Sequence, residues 1–179
     1  MAKINRKFFF DYARLHLFAG SFTQSQVNGL TAILDYWENG YTGKDDRWLA
    51  YMFATAHHET DRKFQAIEEY GKGKGHKYPP FYGRGLVQLT WDYNYKAMGK
   101  QFGVDLLGHP EKALDLDLAV KIMFYGMIKG SFTGKKLADY FNPAKGDWVN
   151  ARRIINGLDK ANLIAGYGHQ YYAAISYTS

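Results

Sequence analysis

Between Glu69 and Gly85 the chain carries Gly71, Gly73, Gly75, Pro79, Pro80, Gly83 and Gly85, a density of breakers that no α-helix tolerates. On both sides of that stretch the apolar spacing is helical. The chain must therefore fold as helices with one irregular or hairpin lobe set between them. Upstream, a helix is expected over about residues 6–18. Thr23 and Gln26 form a capping box for a second, running through Ile33 and Trp37 and ending at Gly40. Asp45 or Asp46 caps a third, whose stripe of Trp48, Leu49, Met52, Phe53 and Ala56 runs out near Glu59 or Thr60. Downstream, one helix follows Trp91 and stops near Gly103. Another opens at Asp115 or Asp117 and contains Ala119, Ile122, Met123 and Met127. A further helix is expected over residues 147–155, closed by a left-handed stop at Asn156-Gly157, and a last one over about 160–174. No repeat or Pro/Ser-rich linker divides the sequence, so residues 1–179 read as one mostly α domain with a small β or loop lobe.

The segment after the lobe, Gly83 to Tyr95, gathers polar groups. Read as an extended piece over 86–90, it puts Gln88 and Thr90 on one face and Val87 and Leu89 on the other. If Thr90 caps a helix starting at Trp91, Asn94 falls one turn beyond it on the same side. Gln88, Thr90 and Asn94 would then line one wall, suited to a polyhydroxylated ligand or a positioned water.

Composition narrows the classes. A hydrophobic fraction of 46% and a charged fraction of 22% are globular values. The formal net charge of +6 favours anionic partners. The basic residues are scattered apart from the run Lys72 to Lys77, and no nucleic-acid module is present in the pattern, so nucleic acid is not an expected partner. Without cysteine there is neither a disulfide framework nor a thiolate metal site. Phe8-Phe9-Phe10 is interrupted by Asp11 and Arg14, too soon for a signal-peptide core, and no later run is long enough to span a bilayer. The expectation is a soluble product made in a cytoplasm, without stable membrane insertion.

Three acidic residues are candidates for chemistry. Glu59 sits at the expected C-terminal end of the third helix, where the helix dipole and partial burial both disfavour an anion, as suits a general acid. Glu68 and Glu69 form a second acidic spot before the lobe. Two carboxylates flanking a glycosidic bond are the usual machinery for cleaving it. His57-His58-Glu59 lacks the second histidine of a zinc-protease helix, because Asp61 or Arg62 holds that position, so no metal and no cofactor is expected. Neither a phosphate loop nor a Gly-x-Ser-x-Gly elbow occurs.

Together, His58-Glu59-Thr60, Phe64 to Glu69, Gly83 to Trp91 with Asn94-Tyr95, and Ile154 to Gly157 resemble glycoside hydrolase family 19, in particular its lysozyme-like branch of bacteriophage endolysins. The resemblance runs in order from about Ala50 to Tyr172. It implies an α+β lysozyme-like fold with the lobe beside the active-site cleft, and inverting hydrolysis of β-1,4 bonds between N-acetylated sugars. Glu59 matches the general acid and Glu69 the general base, when Phe64 and Ile67 are the anchors. One residue more than the usual spacing, in Asp61-Arg62-Lys63, keeps Glu68 as the alternative base. Thr90 matches the hydroxyl that holds the attacking water. Gln88, Asn94 and Asn156 match substrate contacts, and Tyr82 joins them as a candidate from the lobe. The implied partners are peptidoglycan strands and an anionic envelope surface. The implied protein is a monomer with no separate wall-binding domain, made in the host cytoplasm and released to the wall through a holin. Chitin oligomers are the alternative substrate, and a non-catalytic glycan-binding domain is the alternative of another class.

Overall fold

The computed structural model describes residues 4–177. Six α-helices carry it: α1 Arg6–Leu17, α2 Gln24–Gly40, α3 Asp46–Glu59, α4 Asp92–Phe102, α5 Leu116–Lys129 and α6 Ala161–Ile175. The strands are two-residue pieces, β1 Ile67–Glu68 with β2 Arg84–Gly85 and β3 Phe141–Asn142 with β4 Lys145–Gly146, each pair antiparallel. The molecule is mostly helical with a small lobe, as the break between Glu69 and Gly85 requires.

Local chemistry sets the helix ends. The Thr23 hydroxyl accepts from the Gln26 amide at 3.3 Å while the Gln26 side chain accepts from the Thr23 amide at 2.7 Å, the expected box. Asp45 caps α3 through the Arg47 amide (3.0 Å), and Asp115 caps α5 through that of Leu118 (2.9 Å). Gly103 ends α4 at φ 66° and Gly130 ends α5 at φ 76°, the left-handed conformation a glycine adopts without strain.

α3 is the centre of the fold. Every residue from Leu49 to His57 is buried, so the apolar stripe read from sequence widens to the whole circumference. α6 packs along it, with α1 beyond. A helix buried all round is held by its neighbours on every side and gives a rigid mount for its last residue, Glu59. Next to it His57, 1% exposed, lies among Phe18, Phe64, Tyr167 and Tyr171, and its Nδ1 meets the Tyr171 hydroxyl at 2.9 Å. Burial pushes its pKa down to about 3, so it is a neutral core group.

Three expectations are corrected. Residues 86–90 are not extended: Leu86 to Gln88 form a tight turn closed by reciprocal backbone bonds between Arg84 and Leu89, with Gln88 at φ 53°. Thr90 does not cap α4; Trp91 occupies that position at φ 75° without a side-chain cap. The expected helix over 147–155 is only a 3-10 turn, Asn150–Ile154, and neither Asn156 nor Gly157 is left-handed.

Candidate active site

A cleft of about 440 Å³ is lined by Glu59, Glu69, Gln88, Thr90, Asn94 and Asn156 together. Of the sequence candidates, all but Tyr82 and Glu68 line it. Glu59 closes α3, and the turn behind it is fixed by Thr60, whose hydroxyl donates to the Ala56 carbonyl (2.7 Å) and accepts from the Phe64 amide (3.0 Å). Asp61, Arg62 and Phe64 all have positive φ, so the chain turns tightly between α3 and β1. Phe64 is seated against Gly29, where an added Cβ would stand 1.9 Å from the Phe64 carbonyl oxygen. The chain thereby enters β1 at a set register.

That register separates the two adjacent glutamates. Side chains alternate along a strand, so Glu68 and Glu69 leave on opposite faces. Glu68 pairs across the ladder with Arg84 and accepts from the Tyr82 hydroxyl at 2.6 Å, while Lys72 lies 3.0 Å from its other oxygen. The Tyr82 hydrogen bond, then Lys72, hold its carboxyl below the usual range. Glu69 faces the cleft. Its Oε1 accepts from the Tyr78 hydroxyl (2.8 Å) and its Oε2 from the Gly83 amide (3.0 Å), fixing both oxygens while leaving lone pairs for water. Tyr82 belongs to the outer group: its hydroxyl is committed to Glu68 and its ring lies 3.7 Å from the Arg84 guanidinium.

The polar wall has the expected members in a different geometry. The Thr90 hydroxyl donates to the Gln88 carbonyl at 2.8 Å, so its hydrogen is committed and its oxygen can only accept further bonds. Asn94 donates to the Thr90 carbonyl (2.9 Å), and Gln88 donates to the carbonyls of Ile67 (3.1 Å) and Gly85 (3.2 Å). The wall is knit to β1 and β2 by its own side chains.

Glu59, the last residue of α3, forms an ion pair. Arg152, with a side chain 4% exposed, donates to its Oε1 at 2.5 Å and is itself anchored on the Asp159 carbonyl at 3.1 Å. A buried guanidinium thus fixes one oxygen of Glu59 at the end of α3. Sequence reasoning missed this partner, as it missed Tyr78, Trp91, Phe132 and Ile155, which also line the cleft. Tyr78 and Trp91 meet edge to face at 5.2 Å. The concentration of aromatic residues around the lobe was the one signal available for them; Phe132 and Arg152 carried none. Among the described residues no cluster could hold a metal ion.

Residues 35–152 match the family described as chitinase class I. The chain is 35% identical over 96 residues to acidic endochitinase SP2 of Beta vulgaris, which is 46% of this chain and 33% of that protein. It is 42% identical over 77 residues to an endochitinase of Arabidopsis thaliana, 36% of this chain and 29% of that protein. These matches thus span about a third of the length of the relatives. In structure, chitinase C from Streptomyces griseus superposes with a TM-score of 0.64 at 20% identity, over 98% of this chain and 77% of that one. A class IV chitinase from Zea mays gives 0.57 at 19% identity, over 88% and 87%. These two likenesses speak to the fold.

Proposed function

Because the chain belongs to the chitinase class I family, glycoside hydrolase family 19, we propose that it cleaves β-1,4 bonds between N-acetylated sugars of peptidoglycan by an inverting two-carboxylate mechanism. The observation that supports this reading is that Glu59, Glu69 and Thr90 line one cleft. Glu59 protonates the bridging oxygen. As it does so it becomes the carboxylate that Arg152 already faces, so the guanidinium stabilises the charge that develops. On the other side of the bond to be cut, a water gives one proton to Glu69 and directs its other hydrogen to the Thr90 oxygen, whose own hydrogen is committed to the Gln88 carbonyl. Its lone pair then attacks the anomeric carbon from the face away from the leaving group. An inverting site needs its carboxyl groups about 6.5–9.5 Å apart to admit that water.

Peptidoglycan is the favoured polymer because a protein of net charge +6 is drawn to an anionic envelope. In this role it is a phage-type lysin, made in the host cytoplasm and released to the wall by a holin; no helix among the described residues is long and apolar enough to cross a membrane. Chitin is the second reading, favoured by the names of the relatives. Digestion of purified peptidoglycan and of chitin oligomers, with mass spectrometry of the new reducing ends and NMR of the first anomer formed, tests both. Release of muropeptides with inverted configuration supports the proposal. Turnover of chitin oligomers alone gives the second reading, and retention of configuration overturns the mechanism.

A further inference from the structure

The basic run of the lobe lies beside the cleft. Gly73 packs on the Tyr78 ring, where an added Cβ would stand 2.8 Å from Cε2, and the His76 imidazole stacks on the same ring at 4.8 Å and 11°. Tyr78 in turn donates to Glu69 and meets Trp91 edge to face. The tip from Gly71 to Lys77 is thus clamped, through one tyrosine, to the residue proposed as the base. Its charges are not equivalent. Lys72 is paired with Glu68 at 3.0 Å. Lys74 and Lys77, exposed on either side of His76, have no carboxylate partner among the described residues.

We propose that this lobe selects for an acidic glycan, with Lys74 and Lys77 binding carboxylates carried as substituents by the strand in the cleft. The inference rests on the peptidoglycan reading above. A chitin strand is neutral and offers these lysines nothing. A peptidoglycan strand carries an acid-linked peptide on every second sugar, next to the bonds being cut. Exposed charges at the rim of a site act on capture and on salt dependence more than on the chemical step. Their effect is screened within about 8 Å at physiological ionic strength and about 3 Å at 1 M.

The test compares the full chain with a Lys74→Gln/Lys77→Gln double variant and a Lys74→Arg/Lys77→Arg control, on purified peptidoglycan and on chitin oligomers, at low salt and near 1 M. The double variant is expected to lose roughly threefold to tenfold in kcat/KM on peptidoglycan at low salt. The loss should vanish at high salt, be absent in the arginine control, and leave oligomer turnover within about twofold. If wild type cleaves peptidoglycan and the glutamine variant matches it at low salt, or loses equally on both substrates, the lobe assignment is overturned and the proposed function stands. If wild type does not cleave peptidoglycan, the proposed function falls and takes the lobe assignment with it.

Discussion

Glu59 and Arg152, 93 residues apart in sequence, form an ion pair at 2.5 Å in which the guanidinium is buried and the carboxylate faces the cleft. The group proposed as the acid is thus held by another that no substrate need touch. Glu59→Gln keeps an oxygen acceptor for Arg152 and should fold, while losing at least about 10²–10⁴-fold in kcat because it has no proton to give. Glu59→Ala leaves the guanidinium buried and unpaired, a change that should cost about 3 kcal/mol or more. Urea unfolding beside wall-lysis rates separates these outcomes. Near-normal lysis by folded Glu59→Gln would remove Glu59 from the acid role.

The adjacent glutamates should part company in the same way. Glu69→Gln is expected to lower kcat by about 10²–10⁴-fold. Glu68→Gln should stay within about tenfold, because it loosens the group of Arg84, Lys72 and Tyr82 outside the cleft. Single-turnover rates on one defined oligomer read both. The reverse ranking would hand the base role to Glu68.

Thr90→Val removes the proposed water acceptor and also leaves the Gln88 carbonyl without its donor. A loss in kcat of roughly ten- to a hundredfold is expected, with Thr90→Ser close to wild type. Equal rates for valine and serine would show that the hydroxyl holds no reacting water.

What the sequence made legible follows the range of the interactions. Capping residues act within one turn, so Thr23, Gln26 and the aspartate caps placed their helices well. The pairing of Glu68 with Arg84 closes the long lobe from Glu69 to Gly83, and the breakers implied that lobe without giving its register. Gln88, Thr90 and Asn94 proved to share a wall, yet the alternation used to group them was wrong. Gln88 sits at φ 53° in a turn, a conformation uncommon enough for a glutamine that no local propensity signals it. Arg152 and Phe132 reach the site only through tertiary packing, and a lone arginine or phenylalanine in a helical pattern looks like any other.

Gly126, in α5, shows how such packing reaches the cleft. A Cβ added there would stand 2.0 Å from the Phe132 ring, and that ring lines the cleft. In Gly126→Ala, better helix propensity contributes about 1 kcal/mol and offsets part of the overpacking, so the protein should fold. The ring must move. KM is expected to rise roughly threefold to tenfold with kcat little changed, the signature of lost uniform binding. Unchanged KM in a variant of normal melting temperature would show that Phe132 touches no sugar.

His57 gives the acid limb of stability. Its pKa is pushed down to about 3, by burial first and by Arg62 and His58 second, against an ordinary value of 6.5. A depressed folded-state pKa means that its stabilisation is complete above about pH 6.5 and lost as pH falls toward 3, because the unfolded chain takes up a proton the core refuses. The slope reaches about 1.4 kcal/mol per pH unit. His57→Gln cannot titrate, and its urea midpoint should be flatter than that of wild type between pH 6.5 and about 4.5, above the range where most carboxylates contribute. Its stability at pH 8 should be lower, since the Tyr171 hydroxyl loses its imidazole partner. Parallel acid limbs in the two proteins would show that the imidazole is not the group being protonated.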